Sequence, residues 1–198
     1  MKAENNLGCV VLAAGKARRF GANKLLAALG GRPVLACTLD ALPRECFARI
    51  VVVTSDPAVS ALCRERDFDV AEYPGGGQSE SIRVGLARMD GTDGCMFVNG
   101  DQPLLRPSSL RRMAAAFAEA PDRVIRQSFA GTAASPVIFP SAAYPGLMNL
   151  QGDTGGMAVV RGGGWEVRTV EAERAAELWD VDDAAALARA EEFLAQDH

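Results

Sequence analysis

A basic loop and a set of carboxylates are the parts of this 198-residue sequence best suited to chemistry. In VVLAAGKARRFGANK, residues 10–24, Lys16, Arg18, Arg19 and Lys24 follow Gly15, although the chain carries a net charge of −4. Gly15 lets the backbone turn sharply and come close to a ligand. Arg18 or Arg19 can fork onto phosphate oxygens, and Lys24 supplies a point charge. A polyphosphate needs such a set, yet neither GxxxxGK[ST] nor GxGxxG spacing is present. Asp101, in VNGDQP (98–103), closes an apolar run with a carboxylate. A hard Mg²⁺ ion takes one such carboxylate together with phosphate oxygens. In GGGQSESIRVG (75–85), glycines with Ser79 and Ser81 can present backbone groups and hydroxyls to a flat base edge. Asp180, Asp182 and Asp183, in LWDVDDAAAL (178–187), offer a second metal carboxylate from a distant part of the chain.

Each stretch has a plainer alternative. The basic loop can be a solvated turn. Asp101 can organise the turn before a helix, Ser79 can cap a helix over 80–89, and aspartates at a helix start are favoured by its dipole. Cations and a carboxylate converging on one crevice weigh against these alternatives, because a Mg–nucleotide site requires both. The sole histidine is His198, which argues against histidine catalysis and a serine-histidine-aspartate triad.

The elements that must position these residues follow from hydrophobic pattern. Residues 8–14, 49–55 and 94–101 are near-continuous apolar runs, predicting strands buried on both faces. Helices are expected over Pro33–Leu42, from Asp56-Pro57 to about Arg66, over 80–89 with the stripe Ile82, Leu86 and Met89, over 107–119, and over 183–195. Shorter strands are expected near Val70 and over 135–139 and 165–170. This alternation predicts an α/β domain with a mostly parallel sheet covered on both faces. In such folds ligands bind beyond the carboxyl ends of the strands, where loops 15–24, 73–81 and 99–106 belong. There is no linker, repeat or low-complexity segment, so residues 1–198 are expected to form one domain.

The acidic balance argues against nonspecific nucleic-acid binding. No apolar run approaches the roughly 20 residues of a membrane helix, and the polar start of the chain makes a secretory signal unexpected. Five cysteines without a CxxC pair are expected to be reduced, in a cytoplasmic protein.

The motifs, taken in order, resemble a family. LAAGKARRFGANK is similar to the LAAGxxxRxGxxK signature of nucleotidyltransferases with a MobA-like, glycosyltransferase-A-type domain, and NGDQP to their metal-binding GDxP. GGGQSESIRVGL resembles their GMSxSLxxGL segment, SPVIF their GHPVLF, LQGDTGGM their LxGDxGAR, and WDVDDAAAL their DIDTPEDL. The ordered match runs from about Val10 to Leu187, and the closest subgroup is the molybdenum cofactor cytidylyltransferases. The resemblance implies a three-layer α/β/α fold and Mg²⁺-dependent transfer of CMP from CTP to a phosphorylated acceptor, molybdopterin or molybdenum cofactor, with a molybdoenzyme or its maturation factor as a protein partner. Leu12, Ala13, Ala14 and Gly15 would meet the nucleotide with their backbone, and Gly100 of the GD pair belongs to the same set. Arg19 by register, or Arg18, would hold the triphosphate with Lys24. Ser79 and Ser81 would lie near the cytosine. Asp101 would bind Mg²⁺, with Asp182, or less favoured Asp180, as second carboxylate. Ala14 stands where guanylyltransferase relatives carry glycine, which favours CTP over GTP. Three departures fall on the acceptor side: Ser135 replaces the GHP histidine, Met157 the GAR arginine, and Asp183-Ala184-Ala185-Ala186 the TPED stretch. They leave open a sugar, polyol or lactyl phosphate acceptor; a separate alternative is a noncatalytic module that carries a cofactor, against which an intact Asp101 and Lys24 argue.

Overall fold

Apolar runs without a polar face belong at the centre of a sheet, and the longest of them pair there. The computed structural model describes residues 6–14 and 23–196. Its first half contains β1 (Leu7–Leu12), β2 (Ala28–Leu29), β3 (Arg32–Pro33), α1 (Val34–Asp40), β4 (Arg49–Thr54), α2 (Pro57–Arg64), β5 (Asp69–Glu72), α3 (Gln78–Leu86) and β6 (Gly94–Asn99). The second half contains α4 (Pro107–Glu119), β7 (Val124–Phe129), β8 (Thr132–Pro140), α5 (Tyr144–Met148), α6 (Met157–Arg161), β9 (Val167–Glu171) and α7 (Ala184–Gln196).

Seven strands form one sheet in the order β5-β4-β1-β6-β8-β7-β9. β1 pairs in parallel with β4 and β6, β4 with β5, and β7 with β9, whereas β8 is antiparallel to both neighbours. Alternate residues of each strand supply the two faces. Cys9, Val11, Val52, Met96 and Val98 pack with Leu35, Val59, Leu110 and Phe117, from α1, α2 and α4. Val10, Val51, Val53, Cys95 and Phe97 pack with Ile82 and Leu86 of α3 and Leu147 of α5. The result is the three-layer α/β/α arrangement that the strand–helix alternation predicts.

The helix start at Asp56-Pro57 is made as expected: Asp56 Oδ1 accepts from the backbone of Ala58 at 2.8 Å and Val59 at 3.2 Å. The structure differs from expectation elsewhere. β1 stops at Leu12, although Ala13 still donates to the Val53 carbonyl at 2.9 Å. β6 ends at Asn99, which puts Asp101 in the turn beyond it. Helix α1 begins after Pro33, which closes β3, and α3 begins at Gln78 with Gly77 in the N-cap position. Ser79 is therefore inside the helix and does not cap it. β8 is longer than its apolar centre, 135–139, and β7 is not anticipated at all, because Arg126 and Gln127 interrupt its apolar run. β9 is an edge strand with an alternating pattern, shifted to 167–171. Helices α5 and α6 have five residues each, too few to show a period.

The five cysteines are free, and Cys9, Cys63 and Cys95 are buried. Among the described residues no helix is long and apolar enough to cross a membrane.

Candidate active site

The carboxyl ends of β1 and β6 lie side by side, with Leu12 opposite Asn99. Asn23 follows the first of them in the described chain and fixes the turn that carries Lys24. Its Oδ1 accepts from the Leu25 backbone at 3.0 Å, and its Nδ2 donates to Asp56 Oδ2 at 2.7 Å. Leu25 is buried, so the short Lys24–Leu26 turn is anchored from below. Lys24 Nζ then reaches Asp101 Oδ2 at 2.5 Å and Asp182 Oδ1 at 2.7 Å. The Lys24 and Asp101 side chains are 12% and 16% exposed, and that of Asp182 is 68% exposed. The segment bearing Asp182 is held by its backbone, because Val181 N donates to the Asp101 carbonyl at 2.9 Å. Burial pulls the Lys24 ammonium pKa down, but Asp101 and Asp182 outweigh it and the net shift is upward. Asp180 lies at the open side of this cluster, where crowding by protein atoms, then the charges of Asp101 and Asp182, raise its carboxyl pKa to about 6.

These groups open onto a cavity of about 740 Å³. Leu12 and Ala14 form its β1 side, Asn99 and Asp101 its β6 side, and Gly76, Gly77, Gln78 and Ser81 the wall at the start of α3. Tyr73, Asp153, Asp180 and Asp182 complete the lining with Lys24 and Leu25. Gly77 is required where it is, since a Cβ there would collide with the Gly152 carbonyl.

The predicted site residues divide by position. Lys24, Leu12, Ala14, Ser81, Asp101 and Asp182 all face the cavity. Ala13 is buried at 2% exposure. Gly100 supports the floor: its backbone donates to the Leu12 carbonyl at 2.9 Å and accepts from Thr38 Oγ1 at 3.0 Å. Ser79 is 1% exposed and donates its hydroxyl to the Gly152 carbonyl at 2.7 Å, which ties loop 152–153 to α3. Ser81 donates to the Gln78 carbonyl at 2.8 Å. Gly15, Arg18 and Arg19, with Lys16, lie outside the described residues. Asp183 takes the plainer role, its Oδ1 accepting from Ala186 N at 2.8 Å in the first turn of α7. Sequence reasoning assigned no role to Tyr73, Gln78, Asn99 or Asp153. The signals were present in part: Asn99 belongs to NGDQP, Gln78 to GGGQSESIRVGL and Asp153 to LQGDTGGM.

A second cavity of about 300 Å³ adjoins the first and shares Leu12, Gln78 and Asn99 with it. Its surface is largely apolar, with Ile82, Phe97, Val137, Phe139 and Leu147. Phe97 and Phe139 meet edge to face at 5.9 Å. Ser135, Met157 and Arg161 also line it, so two of the three motif departures fall in one place.

Residues 9–172 match the MobA-like NTP transferase domain. The chain belongs to this family. It is 29% identical over 187 residues to the purine catabolism protein PucB of Bacillus subtilis strain 168, covering 87% of this chain and 90% of PucB. A probable molybdenum cofactor guanylyltransferase of Thermococcus kodakarensis is 34% identical over 118 residues, 56% of this chain and 53% of that protein. The crystal structure of Rv0371c from Mycobacterium tuberculosis H37Rv superposes with a TM-score of 0.81 at 28% identity, covering 95% of this chain and 98% of that one. Rv0371c has also been crystallised in complex with manganese.

The donor set of this MobA-like domain fits a hard divalent cation, because Asp101 and Asp182 converge with oxygen ligands only. Among the described residues no three acidic, histidine or cysteine side chains are already gathered as a cage. The Lys24 ammonium meanwhile bridges the same two carboxylates as a cation of the protein's own.

Proposed function

We propose that this MobA-like domain transfers CMP from CTP to the phosphate of molybdopterin or molybdenum cofactor and releases pyrophosphate. The observation that carries the proposal is the Lys24 ammonium between Asp101 and Asp182, at the joined carboxyl ends of β1 and β6, facing a cavity of about 740 Å³. An oxygen of the acceptor phosphate attacks the α-phosphorus of CTP. The bond from that phosphorus to the bridging oxygen breaks, and its electron pair leaves with pyrophosphate. A phosphate monoester is already anionic at neutral pH, so the attack needs no general base, in keeping with a chain whose one histidine is His198.

The protein's part is positioning and charge. Lys24 and Arg19, or Arg18, offset the negative charge that grows on the leaving group. Asp101 and Asp182 are the residues that would hold Mg²⁺. When bound, the ion supplies charge neutralisation on the phosphate oxygens. Leu12 and Ala14 present the β1 edge to the nucleotide, and Ala14, where guanylyltransferase relatives have glycine, supports CTP over GTP. The similarity to a probable molybdenum cofactor guanylyltransferase supports an acceptor of the molybdopterin class. Ser135 and Met157 in the second cavity favour a second reading, a related transferase acting on a sugar, polyol or lactyl phosphate.

Pyrophosphate release with each of the four NTPs, with and without molybdopterin, tests the proposal. Release with CTP and molybdopterin together is expected. Release with GTP alone among the nucleotides, or only with another phosphorylated acceptor, overturns the specific assignment. No release under any of these conditions also overturns it.

A further inference from the structure

The second cavity differs from the first in its charges. No carboxylate lines it, while Asp101, Asp153, Asp180 and Asp182 line its neighbour. Its charged lining residue is Arg161, at the end of α6, which makes no ion pair among the described residues. A second cation stands beside its floor. Arg126 of β7 is paired with Val137 of β8, and Val137 with Phe97 of β6, so the three share one sheet face. Arg126 donates through Nη2 to the Ala133 carbonyl at 2.9 Å, but its Nε is buried without a partner. Burial lowers the pKa of its guanidinium, and among the described residues no carboxylate forms an ion pair with it. A half-buried cation without a counter-ion costs stability unless an anion completes it.

Ile82, Phe97, Val137, Phe139, Leu147 and Met157 give it an apolar side with Ser135 at its edge, and the wall with Leu12, Gln78 and Asn99 is common to both cavities. A molecule with its phosphate at that wall therefore lays its body over Phe97, Phe139 and Met157 and directs its far end to Arg161. We propose that the second cavity selects, as acceptor, a phosphate monoester with an apolar or aromatic body and a second anionic group, with Arg161 as the direct contact for that anion. Arg126 acts through its charge, one strand away. The cavity volume of about 300 Å³ matches the low end of small-molecule sites. This inference rests on the nucleotidyl-transfer reading for the role of the bound molecule, and it separates the acceptors which that reading leaves together: a neutral sugar or polyol body has no use for an unpaired arginine on an apolar floor.

The test is a calorimetric titration of 4-carboxyphenyl phosphate, phenyl phosphate and glycerol 3-phosphate, with and without Mg²⁺ and a methylene-bridged CTP analogue. The carboxylated aryl phosphate should bind at least about tenfold more tightly than phenyl phosphate, a difference typical of one charge-assisted hydrogen-bonded contact. Glycerol 3-phosphate should bind weakest. Arg161→Ala should abolish the preference for the carboxylate, keep the preference for an aryl body, and leave affinity for the CTP analogue unchanged. Arg126→Gln should reduce the carboxylate preference by a smaller factor. Equal binding of the two aryl phosphates to the wild type, tightest binding of glycerol 3-phosphate, or a carboxylate preference that survives Arg161→Ala overturns the proposal. Failure of the CTP analogue to bind instead overturns the cytidylyl reading, and failure of the matching GTP analogue as well overturns nucleotidyl transfer. The two failures are distinct because the acceptor probes are also titrated without nucleotide.

Discussion

The two adjoining cavities of this MobA-like domain are built by different means. The first is made of loops at the carboxyl ends of parallel strands, and its side chains are mostly charged or polar. The second is made of a sheet face, the reversed strand β8 and the short helices α5 and α6, and its side chains are mostly apolar. Groups that act on phosphates must be held at fixed points, which strand ends provide. A surface that accepts the body of a small molecule needs area and shape, which a sheet face provides. On the proposed reading, chemistry and selectivity are thereby placed in parts of the chain that can change separately.

Substitution should expose that separation, with the largest effect in the first cavity. Asp101→Ala removes both a proposed metal ligand and a buried partner of Lys24. Pyrophosphate release should fall below detection while the circular dichroism spectrum is retained, and turnover near the wild-type value would refute the assignment. Lys24→Ala should reduce kcat by roughly 100-fold, the loss typical of removing one preorganised charge, or about 3 kcal/mol. Both variants should leave binding of aryl phosphates in the second cavity intact. Phe139→Ala should do the reverse. Phe139 is 2% exposed and packs on Phe97, so its loss should cost about 3 kcal/mol of stability by chemical denaturation and weaken aryl phosphate binding, with nucleotide affinity retained.

The smallest effect concerns pH and sharpens the contrast in charge. The Asp180 pKa lies at about 6, above its ordinary value of 3.8. The native state therefore binds the extra proton between those limits, and the associated stability, present below about pH 4, is lost as pH rises through about 6. In EDTA, Asp180→Asn should flatten the dependence of Tm on pH across this window. At pH 7.5 it should raise Tm by roughly 2–4 °C, the shift expected for about 1 kcal/mol in a chain of this size. An unchanged profile would show that neither burial nor the charges of Asp101 and Asp182 raise the Asp180 pKa.

How much of this was legible in the sequence follows the same division. The strands β1, β4 and β6 could be read because burial on both faces demands unbroken apolar runs. The loops that follow them bear Lys24 and Asp101, and chemistry restricts which residue types can stand there. The contribution of Asp182 was legible only through the family resemblance, since nothing local distinguishes it from Asp180 or Asp183. Ser79 shows the opposite case. Its type suits a base contact, but the hydroxyl bonds the Gly152 carbonyl, a partner 73 residues away that no local pattern announces. β7 was invisible because Arg126 and Gln127 break its apolar pattern, and α5 and α6 because a single turn has no period. The second cavity depends on these elements, so its shape emerges only from tertiary packing.

The bridge from Lys24 to Asp101 and Asp182 joins positions separated by 77 and 158 residues. The core residues of β1, β4 and β6 all precede Asp182 in the chain, whereas the charge cluster needs it. A chain ending before residue 180 would lack Asp182 and the backbone bond from Val181 that brings it to Asp101. On the proposed reading, competence for the reaction would therefore come only with the last part of the chain.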